Sequence, residues 1–390
     1  MPEVLYTGAF RFPDGDAAAV RVFTVGKLFE AFGAQVSFAG WEGHEPRTYQ
    51  FEGHACFSQA EFRSAPQNIV ARLLGFLLRG KNTFRWLLKR KYDGVVLYNP
   101  PALFALAMLV LARLRGFTLV LDSTEWYESA HLPGGRFGIA ALENYVRMKW
   151  VYPRFSHVIS ISRFLDDHLA SCANRLQLPP MMVADAASAQ SAQPLSSVIR
   201  FFYAGDMGKK DSLSAFIGAM GLLERLSGRR IELHIAGLDK PAVIENLARD
   251  GVIAGFDESR VTCYGRVTRE RVLELYRECH FSIFFRQAQR YALAGFPTKS
   301  VESLSLGCPV VTNRVGDIGE ILSNGENAFL TDESSFERLG EALASLTPAG
   351  YEAMRISAGM LYASTFSVAA NVQRFEGFYD KLGLNFSGDN

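Results

Sequence analysis

The stretch from Ala294 to Glu302, AGFPTKSVE, carries the most specific chemical pattern in the chain. Gly295 and Pro297 interrupt the preceding segment, Thr298 offers an N-cap, and Lys299 and Glu302 fall about one helical turn apart. A helix N-terminus holds about half a positive charge and several unpaired N–H groups, which suits a phosphate. Lys299 adds a full cation there, and Glu302 an acceptor for sugar hydroxyls. The same residues read equally as a capped helix with an internal Lys/Glu pair. Gly307 then closes the helix, and Pro309 to Thr312 has the unbroken apolar character of a parallel strand covered on both faces.

Four more loops carry candidate chemistry, each following a strand-like run. In Ala204 to Asp211, Gly205 and Gly208 admit close approach of a ligand, and Lys209 and Lys210 supply charge for a diphosphate. The spacing is not that of a P-loop, and the bland reading makes the lysines surface charges and Asp211 an N-cap. In Phe284 to Tyr291, Arg286 and Arg290 suit bidentate phosphate recognition. In Asp122 to His131, Glu125, Trp126 and His131 suit an acceptor molecule and its proton, while Asp122 reads as a cap and the aromatics also read as core. In Phe10 to Ala17, Asp14 and Gly15 lie where a sugar or phosphate would approach, although a tight turn with Asp16 as N-cap explains the segment as well.

Short apolar strands alternating with helical patterns position these loops, and that rhythm predicts doubly wound, mostly parallel sheets. Residues 1–183 form one Rossmann-like half, 184–197 a polar linker, 198–365 a second half, and 366–390 a helical segment expected to return to the first half. Ligands of such sheets bind at the carboxyl ends of the strands where strand order reverses, so two facing sheets make a cleft. With 390 residues, two or three domains are expected, and a net charge of +1 argues against a global nucleic-acid binder. The five cysteines are scattered singly, without zinc spacing, and read as reduced thiols. The N-terminus enters a strand without a signal-peptide pattern, and the longest apolar run, Pro100 to Ala112, is too short to span a membrane and reads as a core helix. The chain is therefore expected to be cytoplasmic.

Taken with these loops, the sequence resembles retaining glycosyltransferases of the GT-B fold, in family four, which builds bacterial surface polysaccharides such as lipopolysaccharide. The resemblance runs over essentially the whole chain and is strongest from Phe202 to Asp211 and from Val261 to Leu330. It implies a nucleoside-diphosphate sugar as donor substrate, a glycan or lipid-linked acceptor, and no cofactor or metal. It maps the lysine that contacts the donor diphosphate onto Lys210, with Lys209 beside it, and the glutamate that holds the ribose onto Glu302. The donor site implied comprises Gly205, Lys209, Lys210, Arg286, Arg290, Gly295, Phe296, Thr298, Lys299 and Glu302. The family's first glutamate falls on Ala294, which shifts its duty toward Lys299 and Arg290, and an arginine common in the family is Asp206 here. Glu125 is expected to orient or deprotonate the acceptor hydroxyl, with His131 second and Trp126, Asp14 and Gly15 nearby. A sugar-nucleotide epimerase of the same fold and a catalytically silent sugar-nucleotide-binding partner are the alternatives.

Between Glu61 and Asp93 there is no acidic residue, while eight Lys and Arg from Arg63 to Lys91 interleave with Leu, Phe and Trp. Residues 63–91 thus read as a basic amphipathic surface for anionic lipid at the inner face of a membrane, or as solvated helices packed on their domain.

Overall fold

The computed structural model describes residues 1–13, 15–43, 45–61, 68–183, 193–207, 211–253, 256–332 and 335–384. The chain divides into two compact units. Unit 1 comprises Met1–Val183, Ala294–Phe296 and Val368–Asn390, and unit 2 comprises Ala184–Leu293 and Pro297–Ser367.

Unit 1 is built on strands β1 (Glu3–Gly8), β2 (Gln35–Gly40), β3 (Arg47–Phe51), β4 (His54–Ser58), β5 (Gly94–Tyr98), β6 (Thr118–Ser123), β7 (His157–Ser160) and β8 (Asn174–Gln177). They form one sheet in the order β3-β4-β2-β1-β5-β6-β7-β8, parallel except for β3. The β5 strand, Gly-Val-Val-Leu-Tyr, is buried along its whole length, as a parallel strand covered on both faces must be. The β3–β4 hairpin has no counterpart in the sequence reading. It turns at Glu52 and Gly53, both in the left-handed region.

The helix Ala17–Ala31 starts at Asp16, whose carboxylate accepts from Ala19 N at 2.9 Å and from Arg11 N at 3.1 Å. The loop before it is therefore a capped turn with Gly15 exposed, and Asp14 lies outside the described residues. The last helix, Val368–Tyr379, packs on Ala17–Ala31, with Phe375 edge-on to Phe29 at 4.9 Å and Tyr379 stacked on Phe32 at 5.1 Å. Such aromatic pairs add about 1 kcal/mol each beyond their buried area.

Unit 2 is built on β9 (Val198–Ala204), β10 (Arg230–Ala236), β11 (Val261–Cys263), β12 (Phe281–Ile283), β13 (Val310–Thr312) and β14 (Ala328–Leu330). All pairings are parallel, in the order β11-β10-β9-β12-β13-β14. Strand order reverses at β9, and in unit 1 at β1, so the loops after β9 and β12, and after β1 and β5, border the two switch points. No helix among the described residues is long and apolar enough to cross a membrane.

Candidate functional site

In unit 2 the loops after β9, β12 and β13 converge on Asp211. Its Oδ1 accepts from Arg286 Nε at 2.8 Å and its Oδ2 from Lys299 Nζ, while the Tyr203 hydroxyl lies 3.2 Å from Oδ2. The Lys299 ammonium sits over the Tyr203 ring, 4.0 Å from its centroid. Asp211 is thus not the cap anticipated from sequence. The helix that follows, Ser214–Ser227, begins after Leu213 without a side-chain cap, because the aspartate is committed to two cations. Burial alone would raise its pKa, but Lys299 and then Arg286 hold the carboxylate down to about 2. Burial acts on Lys299 in the opposite sense, lowering its pKa despite Asp211.

Arg286 is fixed from its backbone as well. Its N–H donates to Asn313 Oδ1 at 2.9 Å and its carbonyl accepts from Asn313 Nδ2 at 2.7 Å. Asn313, directly after β13, was not singled out from sequence, and neither was Tyr203. Both follow or end apolar strands, the one local signal that marks them. Gly205 directly follows β9 at φ +146°, and a Cβ there would lie 2.9 Å from Lys299 Nζ, so a side chain would push the cation away. A Cβ on Gly237, after β10, would meet the Gly205 carbonyl at 2.3 Å. The two backbones approach as only glycines allow.

The helix Thr298–Ser305 carries Lys299 and Glu302. It is preceded by Pro297 with no side-chain cap, so Thr298 is its first helical residue and not the N-cap read from sequence. Burial raises the Glu302 carboxyl, with Arg269 and then Lys299 offsetting part of the effect, and among the described residues its carboxylate makes no hydrogen bond. Lys209 and Lys210 lie outside the described residues, as does Gly208. Arg290 opens a short helix, Arg290–Ala294, and is half-buried. Ala294 is fully buried, its carbonyl accepting from Ser162 Oγ at 2.8 Å, and Gly295 and Phe296 are grouped with it in unit 1.

In unit 1 a cavity of about 620 Å³ lies at the carboxyl ends of β1, β2, β5 and β6, walled there by Ala9, Trp41, Asn99 and Glu125. That volume is within the range of small-molecule sites. Asn99 holds a positive φ of 42°, and its side chain clamps Thr124, donating to Oγ1 at 2.6 Å and accepting from the backbone N–H at 2.9 Å. This clamp fixes the residue before Glu125. The Glu125 carboxylate accepts from the Tyr127 hydroxyl, and burial together with Glu125 raises both Tyr127 and Tyr98. It also supports the Arg147 cation.

Below this floor, Asp122 is buried at the end of β6 and holds Tyr6 Oη at 2.5 Å and Arg21 NH2 at 2.7 Å, while Arg21 NH1 donates to the Leu178 carbonyl at 3.0 Å. Asp122 is a framework residue and not the cap read from sequence. Two acceptor candidates need correction. Trp126 is buried against His168 at 4.2 Å and Phe164 at 5.8 Å, because the chain after β6 turns alternate side chains inward. His131, on the turn Ser129–His131, lies 3.7 Å from Glu128 and does not line the cavity.

Residues 199–347 match the model of the family described as glycosyl transferases group 1. Among curated proteins, none matches the sequence. Sucrose-phosphate synthase from Thermosynechococcus elongatus is similar in structure, with a TM-score of 0.71 at 14% identity over 98% of this chain and 99% of that one. The HepE protein of Anabaena, solved with UDP and glucose, gives 0.64 at 13% identity over 98% and 100%. The lipopolysaccharide outer core galactosyltransferase WaaB, solved in its apo form, gives 0.60 at 13% identity over 97% and 99%. The fold is GT-B.

Proposed function

We propose that this protein is a glycosyltransferase that moves a sugar from a nucleoside-diphosphate sugar to an acceptor. The observation that carries the reading is the pair of cations, Lys299 and Arg286, held on one buried carboxylate at the β9/β12 switch point, with Lys299 three residues along the helix from Glu302, a buried carboxylate that makes no hydrogen bond among the described residues. The match of residues 199–347 to the glycosyl transferase family supports it, as does the structural likeness to HepE, which was solved with UDP and glucose. Unit 2 would hold the donor. Glu302 accepts from the ribose hydroxyls, and Lys299, Arg286 and the undescribed Lys209 and Lys210 meet the diphosphate. Arg290 and Thr298 complete the proposed donor surface.

The chemistry follows from charge. The bond from the anomeric carbon to the phosphate oxygen breaks with its electron pair leaving on the diphosphate. The acceptor oxygen forms the new bond to that carbon, and its proton passes to a base. Cations preorganised on the leaving phosphate lower the barrier, one well-placed donor contributing about 3 kcal/mol in comparable sites. We assign the acceptor to the cavity of unit 1 and its proton to Glu125. Retention of anomeric configuration, independence of added metal, a lipid-linked or polysaccharide acceptor and a role at the inner face of a membrane, with residues 63–91 meeting anionic lipid, belong to the same proposal.

Release of free nucleoside diphosphate separates transfer from its rivals. With the donor and a lipid extract carrying polyprenyl-phosphate-linked saccharides, release is expected only when the extract is present. Glu125→Gln is expected to slow it by roughly 10²-fold or more, the usual contribution of a general base. Release without acceptor, or conversion of the donor to an epimer, would favour the epimerase.

A further inference from the structure

The helix Ala102–Arg115, read from its apolar run as core, buries only one side. Phe104, Ala105, Met108 and Leu111 face inward, while Leu103, Leu106, Val110 and Leu114 are exposed, the last at 79%. Spaced three and four apart, these four form a single outward stripe. The helix Ile139–Val146 packs beside it and repeats the arrangement with Leu142 at 61% and Tyr145 at 53%. Phe137, before that helix, is 100% exposed, and Trp150, after it, 55%. Apolar surface gathered in this way marks an interaction site.

Charge selects the occupant. From Gly94 to Leu121 the sequence has no acid, and from Ser129 to Leu165 only Glu143. That glutamate lines the cavity and accepts from Ala102 N at 2.9 Å. The Lys and Arg residues are Arg113 and Arg115 on the first segment and Arg136, Arg147, Lys149, Arg154 and Arg163 on the second, all exposed except the half-buried Arg147. A second copy related by a two-fold axis would press this basic face against itself, which like-charge repulsion disfavours. A bilayer with anionic headgroups offers hydrocarbon for the stripe and negative charge for its flanks, and Trp150 and Tyr145 suit the interfacial depth.

We propose that unit 1 docks on an anionic lipid bilayer through the outward faces of the helices Ala102–Arg115 and Ile139–Val146, with Phe137 and Trp150. The surface uses other residues than the basic segment 63–91, whose Arg72, Leu73, Phe76 and Arg79 line the same cavity as Ile139. Ile139 and Asn144, of the second docking helix, also wall the 620 Å³ cavity. A lipid-borne acceptor would therefore reach the cavity along the helix that meets the membrane. That consequence rests on the glycosyltransferase reading; the docking itself does not.

The test needs neither donor nor acceptor. Sedimentation with phosphatidylcholine vesicles, with and without phosphatidylglycerol, is measured for the wild type and for Leu106→Glu/Val110→Glu. Ile356→Glu/Met360→Glu, on an exposed face of the helix Pro348–Leu361 in unit 2, serves as control. Circular dichroism checks folding and sedimentation velocity the oligomeric state. The expected result is binding that requires phosphatidylglycerol, weakened at least about tenfold in the first variant and unchanged in the control. Wild type that ignores the vesicles, an equal loss in the control, or a dimer that the first variant dissociates would overturn the proposal. Failure of nucleotide binding, measured separately, would remove the transferase reading and leave this result standing.

Discussion

Lys299→Met is expected to lower sugar transfer by roughly 10²–10³-fold, the cost of losing one preorganised donor to a developing charge, while leaving unit 2 folded. The separation between activity and stability follows from the triad. Arg286 stays on Asp211 Oδ1 when the lysine is gone, so no carboxylate is stranded without a partner, and removing Lys299 also removes its own desolvation cost. The pH dependence carries the signature of the same contact. Because the folded-state pKa of Asp211 is depressed to about 2, its stabilisation is present above the unfolded value of about 4 and is lost as pH falls from there through about 2. With one cation fewer, the folded pKa rises and that window narrows. Steady-state kinetics beside acid titration of both proteins checks the two effects. A variant that loses activity only in proportion to unfolded protein would deny Lys299 a role in transfer.

Asp122→Ala is expected to cost about 3–5 kcal/mol, because it strands the Arg21 guanidinium, 3% exposed, without its counter-charge. For a unit of this size that corresponds to roughly 10 °C in thermal midpoint. Arg21→Met combined with Asp122→Leu removes both charges and is expected to recover most of the loss, since a buried ion pair replaced by apolar side chains is often neutral. Thermal denaturation of the three proteins decides. A drop of less than about 1 kcal/mol in the single variant would mean that Asp122 does not hold the floor beneath the cavity.

Most parallel strands were legible because each is a short apolar run bounded by glycine, proline or polar residues, as at β5, β9 and β13, and the helix between β1 and β2 because Asp16 marks its start; β8, Asn-Arg-Leu-Gln, was not, because it carries a single apolar residue. The β3–β4 hairpin was not, since Arg47, Thr48 and Gln50 are exposed and its edge position leaves no continuous apolar run. The cluster at Asp211 escaped for a different reason. Its partners Arg286 and Lys299 are 75 and 88 positions away, and no local pattern distinguishes a carboxylate that caps the next helix from one that gathers distant cations. Arg21 and Asp122, 101 positions apart, were hidden in the same way. Trp126 could be read either way from sequence, and only the tertiary contacts with Phe164 and His168 decide for core. The apolar run at Ala102–Arg115 announced a helix without saying which of its faces would find a partner.

The account turns on a nucleotide site in unit 2, and thermal shift of the wild type and Glu302→Ala with uridine, guanosine, adenosine, cytidine and thymidine diphosphates and their sugars, with and without magnesium, tests it most directly. At about 100 times its dissociation constant a bound nucleotide adds about 2.7 kcal/mol. A selective rise with one base, independent of magnesium and abolished by Glu302→Ala, is the expected result. No shift with any nucleotide, or a shift that Glu302→Ala leaves intact, would contradict the donor site assigned to Glu302, Lys299 and Arg286.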